Sequence, residues 1–104
     1  MISVFVRFRY ESEFNEAYVR QIADGARAKF EGMPGLRSKT FTIDSVNQEA
    51  LNFYVWDSEE AAKAFFSPQL IEQVTELYGV QPTIQFADVA TLVDNRVVPY
   101  RSIG

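Results

Sequence analysis

The fold is decided by one stretch of the chain, Leu51-Asn-Phe-Tyr-Val-Trp-Asp-Ser-Glu-Glu-Ala-Ala-Lys-Ala-Phe-Phe66. An alternating aromatic strand ends at Asp57-Ser58, and an Ala- and Phe-rich helix begins at once. Side chains alternate along a strand, so its residues divide into two faces. The two faces are Leu51, Phe53 and Val55 on one side, and Asn52, Tyr54 and Trp56 on the other. The second face is aromatic and also carries hydrogen-bonding groups, which is typical of a small-molecule pocket wall or of a subunit contact.

Hydrophobic periodicity along the whole chain predicts six main elements, two of which make up the stretch above. Alternating runs predict four strands, over residues 2–10, 36–44, 50–56 and 83–93. Apolar stripes at spacings of three and four predict helices over residues 15–30, 57–66 and 68–78, the last two forming one broken helical region. The order is β-α-β-β-α-β, which predicts an α+β, ferredoxin-like fold with a four-stranded antiparallel sheet.

Several local signals predict where elements begin and end. Asp57 and Glu60 have the spacing of a capping box, which predicts that Asp57 opens the helix. Pro68 is placed to be the first residue of a new helical segment, and Gly79 to end it. The alternation in the last strand slips near Ala87-Asp88, which predicts a β-bulge there.

Length and charge exclude several classes of protein. A chain of 104 residues is one domain. The net charge is −4 and the basic residues are scattered singly, so we expect no nucleic acid partner. No segment approaches the ~18 apolar residues that a membrane span needs. The first residues lack a basic region followed by an apolar run, so we expect a cytoplasmic protein.

The chain contains neither Cys nor His. It therefore has no disulfide, no thiolate nucleophile, and none of the commonest metal or haem ligands. Glu72 and Glu76 lie four apart on one helix face, but without His this spacing is more typical of a solvated surface. We expect no metal site and no cofactor, so that any chemistry must use carboxylates, Tyr, Lys, Arg, amides or the substrate itself.

The chain has more large apolar strand residues than short helices can cover. A four-stranded sheet with helices on one face leaves the other face open. The rings and branched side chains that appear in excess are Phe5, Phe41, Ile43, Tyr54 and Trp56. Face-to-face packing of two such sheets would cover the excess, so we expect a homodimer that forms an α+β barrel across a two-fold axis.

Two segments resemble a known group of proteins. Met33-Pro-Gly-Leu36, followed by the strand-to-helix block from Phe53 to Phe66, resembles the dimeric α+β barrel superfamily, and most of all the monooxygenase-like proteins of the YdhR type, near the antibiotic-biosynthesis monooxygenases. The resemblance extends to Asp94. It implies a ferredoxin-like monooxygenase-type domain over residues 1–94. Residues 95–104 are then a C-terminal tail, whose contact with the partner subunit stays open; Val97-Val98 could add an edge strand to that subunit.

The resemblance also implies site residues. In the cofactor-free oxygenases of the superfamily, a strand Asn and a Trp four residues later line a cavity between sheet and helices, and Asn52 and Trp56 match that spacing. These enzymes also use a Tyr in the next helix, where this chain has Ala62, so Tyr54 or Tyr78 would have to substitute. The haem-degrading and cyclase branches depend on His and are disfavoured.

Asn52 and Trp56 are the predicted catalytic pair, because both can donate hydrogen bonds to an anion formed from a phenolic or enolic substrate. The predicted substrate-binding residues are Arg7, Tyr54, Phe65 and Tyr78. Structural alternatives stay open for several of them. Trp56 would be packing and Asn52 a polar group of the strand. Arg7, which shares a face with Arg9, would form a salt bridge between subunits or lie at an exposed strand end, Phe65 would belong to the core, and Tyr78 would lie at its edge.

Three functions remain open at this point. The first is a cofactor-independent monooxygenase acting on an aromatic or polycyclic small molecule, with a pocket of a few hundred cubic ångströms in each subunit. The second is a non-catalytic protein that binds an apolar small molecule. The third is a dimerisation module whose rings simply fill the barrel.

Overall fold

One four-stranded antiparallel sheet carries the helices on one of its faces. The computed structural model describes residues 1–96. The elements are β1 (Ile2–Arg9), α1 (Glu16–Phe30), β2 (Leu36–Asp44), β3 (Glu49–Trp56), α2 (Glu59–Phe65), α3 (Pro68–Tyr78) and β4 (Thr83–Asp88). The strand order in the sheet is β2-β3-β1-β4. The predicted α+β, ferredoxin-like fold is confirmed. The predicted edge strand at Val97-Val98 lies outside the described residues.

The core lies between the sheet and the helices. Val4 and Phe8 of β1 have no exposed surface, and Val6 has 3%. Beside them on β3, Val4 pairs with Tyr54 and Val6 pairs with Asn52, so the polar and aromatic face of β3 also points at the helices. The alternation predicted for both strands is confirmed, and it directs Asn52, Tyr54 and Trp56 into the same layer as the apolar side chains.

The helical region after β3 begins one residue later than predicted. Ser58, and not Asp57, caps α2, because the Ser58 side chain accepts a hydrogen bond from the backbone N–H of Ala61. The backbone N–H of Asp57 donates instead to the carbonyl of Gly35 at 2.8 Å, which holds Asp57 at the end of the sheet. The boundaries of α3 are as predicted, since Pro68 is its first residue and Gly79 ends it in the left-handed conformation at φ 83°.

The last strand is shorter than predicted, and the predicted bulge near Ala87-Asp88 is wrong. β4 pairs with β1 in unbroken register until Asp88 lies opposite Ile2. β1 begins there, so the chain beyond Asp88 has no further strand to pair with. The register shift of the sheet lies in β2 instead, between Leu36 and Ser38.

The face of the sheet away from the helices holds fewer rings than the sequence suggested. Of the five residues expected to be in excess, only Phe5 lies on this face, in contact with Phe53 at 4.8 Å between ring centroids. The other four lie on the helix side, because they share the phase of the core residues Val4 and Val6. The open face is therefore a smaller apolar patch, centred on Phe5 and Phe53, than predicted.

Candidate active site

An apolar cavity lies between the sheet and the three helices. Its volume is about 150 Å³. Apolar and aromatic side chains supply most of its walls, and the residues that can hydrogen-bond there are Lys29, Lys39, Asn52, Tyr54 and Tyr78. The cavity is smaller than the few hundred cubic ångströms that we expected.

A wider cleft adjoins the cavity between α1 and β2. Its volume is about 560 Å³. Four residues line both the cleft and the cavity, and they therefore mark the passage between them: Lys39, Phe41, Asn52 and Tyr78. An open cleft leading to an apolar inner cavity is suited to a flat aromatic molecule that enters from the α1–β2 edge.

Asn52 and Tyr78 form a hydrogen-bonded pair at this passage. The Asn52 amide nitrogen donates to the Tyr78 hydroxyl oxygen at 3.1 Å, and both residues are buried. The Tyr78 ring stacks on Phe8 with centroids 3.7 Å apart, and the Tyr10 hydroxyl donates to the Tyr78 backbone carbonyl at 2.6 Å. The position of Tyr78 is thus fixed by three contacts: its ring stacks on Phe8, its hydroxyl accepts from Asn52, and its backbone carbonyl accepts from Tyr10.

Both tyrosines of the cavity stay protonated near neutral pH. Burial raises the pKa of Tyr78, while the hydrogen bond from Asn52 acts in the opposite direction. Burial, followed by repulsion from Tyr78, raises the pKa of Tyr54. Neither phenol can serve as a base at neutral pH, but each can donate a hydrogen bond from its hydroxyl.

Lys39 is the cationic residue at the passage. Its ammonium nitrogen lies 3.5 Å from the centroid of the Phe30 ring, 4.2 Å from that of Phe41 and 4.4 Å from that of Tyr54. Burial, followed by the charge of Lys29, lowers the pKa of Lys39 to about 7. Attraction of the cation by the three ring faces opposes this shift.

Trp56 lies deeper than the cavity wall. It is 2% exposed, and Phe65, whose ring lies 5.1 Å from that of Trp56, is the residue that lines the cavity at this end. Within residues 1–96, the indole N–H of Trp56 has no hydrogen-bond acceptor. An unpaired buried donor costs roughly 1–3 kcal/mol, so this N–H is an unusual feature of the core.

Arg7 lies away from the cavity. Its side chain is on the open face of the sheet, where it donates to the Glu49 carboxylate at 2.7 Å. Arg9 donates to the other oxygen of the same carboxylate, also at 2.7 Å. The paired arginines hold the pKa of Glu49 below its ordinary value, Arg9 having the larger effect. This ion pair lies within one chain, whereas the structural alternative expected for Arg7 was a salt bridge between subunits or an exposed strand end.

Ala62 occupies the place where a helix tyrosine would be expected. It has no exposed surface and belongs to the core under α2. No hydroxyl reaches the cavity from this position. The tyrosines that line the cavity come from β3 and α3, as Tyr54 and Tyr78.

The described part of the chain has neither a metal-binding cluster nor a membrane-spanning helix. Residues 1–96 contain no cluster of three acidic side chains that could hold a metal ion. None of the helices in that range has both the length and the apolar character that a bilayer span requires.

Lys39 was not among the site residues predicted from the sequence. Its signal was the alternation within β2, because Lys39 is in phase with Phe41 and Ile43, and a charged residue in an apolar phase indicates a functional or paired group. The bulge between Leu36 and Ser38 concealed this phase, since Leu36 and Lys39 point to the same face although they are three residues apart.

Three solved structures of low sequence identity share the fold. A putative antibiotic biosynthesis monooxygenase from Deinococcus radiodurans is 15% identical, with a TM-score of 0.65 over 90% of this chain and 97% of its own. A monooxygenase of Streptomyces coelicolor, solved in complex with nanaomycin D, is 18% identical, with a TM-score of 0.65 over 95% of this chain and 92% of its own. SnoaB, a cofactor-independent oxygenase from Streptomyces nogalater, is 17% identical, with a TM-score of 0.63 over 88% of this chain and 95% of its own.

Comparison with curated proteins finds no match. The sequence model of the family described as putative mono-oxygenase ydhR matches residues 4–88, which include every strand and helix except the first two residues of β1. The resemblance seen in the sequence is confirmed, and the chain belongs to the ydhR family of putative mono-oxygenases.

Proposed function

We propose that this protein is a cofactor-independent monooxygenase that oxidises a flat aromatic or polycyclic small molecule in the cavity between sheet and helices. The observation that carries the proposal is the Asn52–Tyr78 pair, which presents polar hydrogens at the passage between an open cleft and an apolar cavity. The fold that it shares with SnoaB, a cofactor-independent oxygenase, supports the same reaction class.

The reaction needs little chemistry from the protein. An activated methylene or phenol of the substrate loses a proton, and the electron-rich anion reacts with dioxygen to give a peroxide. Loss of water from the peroxide leaves a carbonyl, so one oxygen atom enters the product and the other leaves as water. The substrate supplies all four electrons, and no external reductant is required. The protein must hold the anion, donate hydrogen bonds to its oxygen and limit access of water.

Asn52 and Trp56 are the proposed catalytic pair. Asn52 supports this role by its place at the passage, where the second N–H of its amide makes no hydrogen bond to residues 1–96. For Trp56 the supporting observation is its indole N–H, which lacks an acceptor within residues 1–96. Because Trp56 does not line the cavity, Phe65 would have to move before this N–H could reach a substrate. Tyr54, Phe65 and Tyr78 are the proposed substrate contacts. Arg7 gains no support from its position on the opposite face of the sheet.

The test compares dioxygen uptake by wild-type protein and by Asn52→Ala, using anthrone and a set of hydroquinones and phenols as probes. Loss of one hydrogen-bond donor to a developing oxyanion lowers turnover by about a hundredfold or more. Asn47→Ala is the matched control, because Asn47 lies in the exposed β2–β3 hairpin, bonded to Asp44. Equal turnover by the wild type and Asn52→Ala would remove Asn52 from the mechanism.

The proposed assembly is a homodimer formed through the open face of the sheet. Phe5 and Phe53 contact each other there and are only half-buried in the single chain. Phe53→Asp should therefore dissociate the dimer, and sedimentation at micromolar concentration should detect a species near the monomer mass of 11.9 kDa. Wild-type protein that sediments only at that mass would contradict the proposal. The cytoplasmic location remains a prediction from the sequence, which cell fractionation would test.

A second candidate function is binding of an apolar molecule without catalysis. The observations that favour it are the small inner cavity of about 150 Å³ and the absence of a hydroxyl at Ala62. It predicts that anthrone quenches Trp56 fluorescence with saturation while dioxygen is not consumed. Saturable binding accompanied by uptake of one dioxygen per turnover would exclude it.

A further inference from the structure

Lys39 reaches the cavity because of the irregularity in β2. In a regular antiparallel pair, the residue two positions after Leu36 would share its face, and Lys39 would point to the open side with Phe53. The bulge at Arg37 instead pairs Ser38 with Val55 and Lys39 with Tyr54. Bulges commonly re-aim a side chain beside an active site. Here the bulge turns an ammonium group toward the helices.

The ammonium group of Lys39 is surrounded by aromatic rings and has no carboxylate partner within residues 1–96. Its nitrogen lies within 4.4 Å of the centroids of the Phe30, Phe41 and Tyr54 rings. Among the residues that the structure describes, none of the salt bridges includes Lys39. A buried lysine with a purely structural role would be expected to pair with a carboxylate. An uncompensated one at a cavity mouth is available to an anion brought by a ligand.

The charges around Lys39 come from every neighbouring element. On α1, Lys29 adds a positive charge, and Asp24 lines the outer cleft. The two arginines of α1 that line the cleft are each paired with a glutamate, Arg20 with Glu16 and Arg27 with Glu31. β3 contributes Tyr54 and α3 contributes Tyr78. On β2, the strand of Lys39 itself, Arg37 is paired with Asp57. The two tyrosines are neutral near pH 7, so that no anion within the cavity stabilises the ammonium form. Burial accordingly brings the pKa of Lys39 to about 7.

We propose that Lys39 is the catalytic base of the cavity: its neutral amine takes the proton from a flat phenolic or enolic substrate, and the ammonium that results holds the substrate anion against Asn52 and Tyr78. This inference rests on the proposed function. The amine nitrogen forms an N–H bond as the substrate O–H or C–H bond breaks, and the electron pair stays on the substrate. After dioxygen adds, the ammonium returns its proton to the outer peroxide oxygen, which restores the neutral amine. The remaining C–H bond of the oxidised carbon and the O–O bond then break: the C–H electron pair forms the carbonyl, and the C–H proton joins the departing hydroxide as water.

The chemistry also selects the substrate class. A base whose pKa is near 7 removes protons efficiently from groups whose pKa is similar or moderately higher, such as activated phenols and anthrone-type methylenes. The three rings around the nitrogen favour a planar ligand, which can stack among them. A simple aliphatic alcohol would be neither acidic enough nor flat enough.

The first experiment follows turnover of anthrone against pH for the wild type, Lys39→Met and Lys39→Arg. We expect wild-type kcat/KM to rise with pH and to level off above about pH 7. In both variants we expect kcat to fall by about a hundredfold or more, and kcat/KM no longer to rise with pH. Lys39→Arg keeps the charge but cannot act as a base at these pH values. Lys63→Met is the matched control, since Lys63 is exposed and paired with Glu59. Wild-type activity in Lys39→Arg would overturn the role as a base.

A second experiment does not depend on oxidation. 4-Nitrophenol is a flat phenol whose anion is yellow, and its ionisation on the protein can be followed by absorbance. We expect the wild type to bind it as the phenolate at a pH where the free probe is protonated, and Lys39→Met to bind it about tenfold more weakly and without colour. Phenolate binding without anthrone turnover would keep the role of Lys39 and reject the monooxygenase. Equal phenolate binding by wild type and Lys39→Met would reject the inference alone.

Discussion

Replacing Lys39 by methionine should stabilise the protein at neutral and acidic pH. Methionine has a similar length and no charge, and it suits the ring-lined position. The pKa of Lys39 falls from 10.5 to about 7 because burial, and then Lys29, penalises the ammonium. Between these two values the unfolded chain binds a proton that the folded chain does not. The wild-type free energy of unfolding therefore rises with pH across that window.

The size of the effect follows from the same shift. At about 1.4 kcal/mol per pKa unit, moving from 10.5 to about 7 sets a ceiling of about 5 kcal/mol, reached below the folded-state value. The attraction of each of the three rings for the cation offsets some of this, at roughly 0.5–2 kcal/mol each. We expect Lys39→Met to raise the free energy of unfolding by about 2 kcal/mol near pH 6, with the gain shrinking toward zero near pH 10.

The assay is urea denaturation followed by Trp56 fluorescence over a pH series, at one protein concentration so that assembly does not vary. Lys63→Met is the control, because Lys63 is exposed and its pKa is raised by Glu59. That control should show no gain in stability at any pH. The prediction would be wrong if Lys39→Met were less stable than wild type near pH 6, or if its gain in free energy of unfolding did not change with pH.

Two further predictions concern the pair at the passage and the turn before β2. Asn52→Ala should raise the pKa of Tyr78 further, because the hydrogen bond that opposes the effect of burial is lost; an unchanged tyrosinate titration by ultraviolet absorbance would contradict this. Gly35→Ala should destabilise more than Gly79→Ala, although both glycines have φ near 82°. Each substitution costs about 1 kcal/mol for the left-handed backbone. Of the two positions, only Gly35 would place the new Cβ against another atom, the Cβ of Ala61 at 3.1 Å. Equal melting temperatures for the two variants would show that the structure relaxes to relieve this contact at no cost.

The sequence was sufficient for the order of elements and for the faces of the central strands. The alternation of β3 placed Asn52 and Tyr54 on one shared face, because strand phase depends only on local geometry, but it did not decide whether that face meets the helices. Pro68 and Gly79 marked the ends of α3, because their backbone preferences are also local. These features need no knowledge of the rest of the fold.

Other features depended on neighbours that the sequence does not reveal. Asp57 and Ser58 are both good helix caps, and the choice falls to Ser58 because Asp57 is bonded to Gly35 across the end of the sheet. β4 stops at Asp88 because β1 begins at Ile2. Each boundary is set by a partner that is distant in sequence, so local patterns mispredicted it.

The site was only partly accessible from the sequence for the same reason. Asn52, Tyr54, Phe65 and Tyr78 line the cavity, and their functional roles remain predictions. Strand phase puts Trp56 on the correct face but does not reveal that Phe65 stands between it and the cavity. Lys39 was missed because the bulge in β2 changes the phase of the residues that follow it.

The proposed reaction is oxidation of a flat aromatic molecule by dioxygen with no added cofactor. It is tested most directly by incubating the metal-stripped wild-type protein with anthrone under dioxygen labelled with heavy oxygen and analysing the product by mass spectrometry. We expect catalytic formation of the quinone carrying one labelled oxygen atom, at a rate that Asn52→Ala lowers by about a hundredfold. Labelling no faster than in buffer alone, for anthrone and for the phenols and hydroquinones alike, would contradict it.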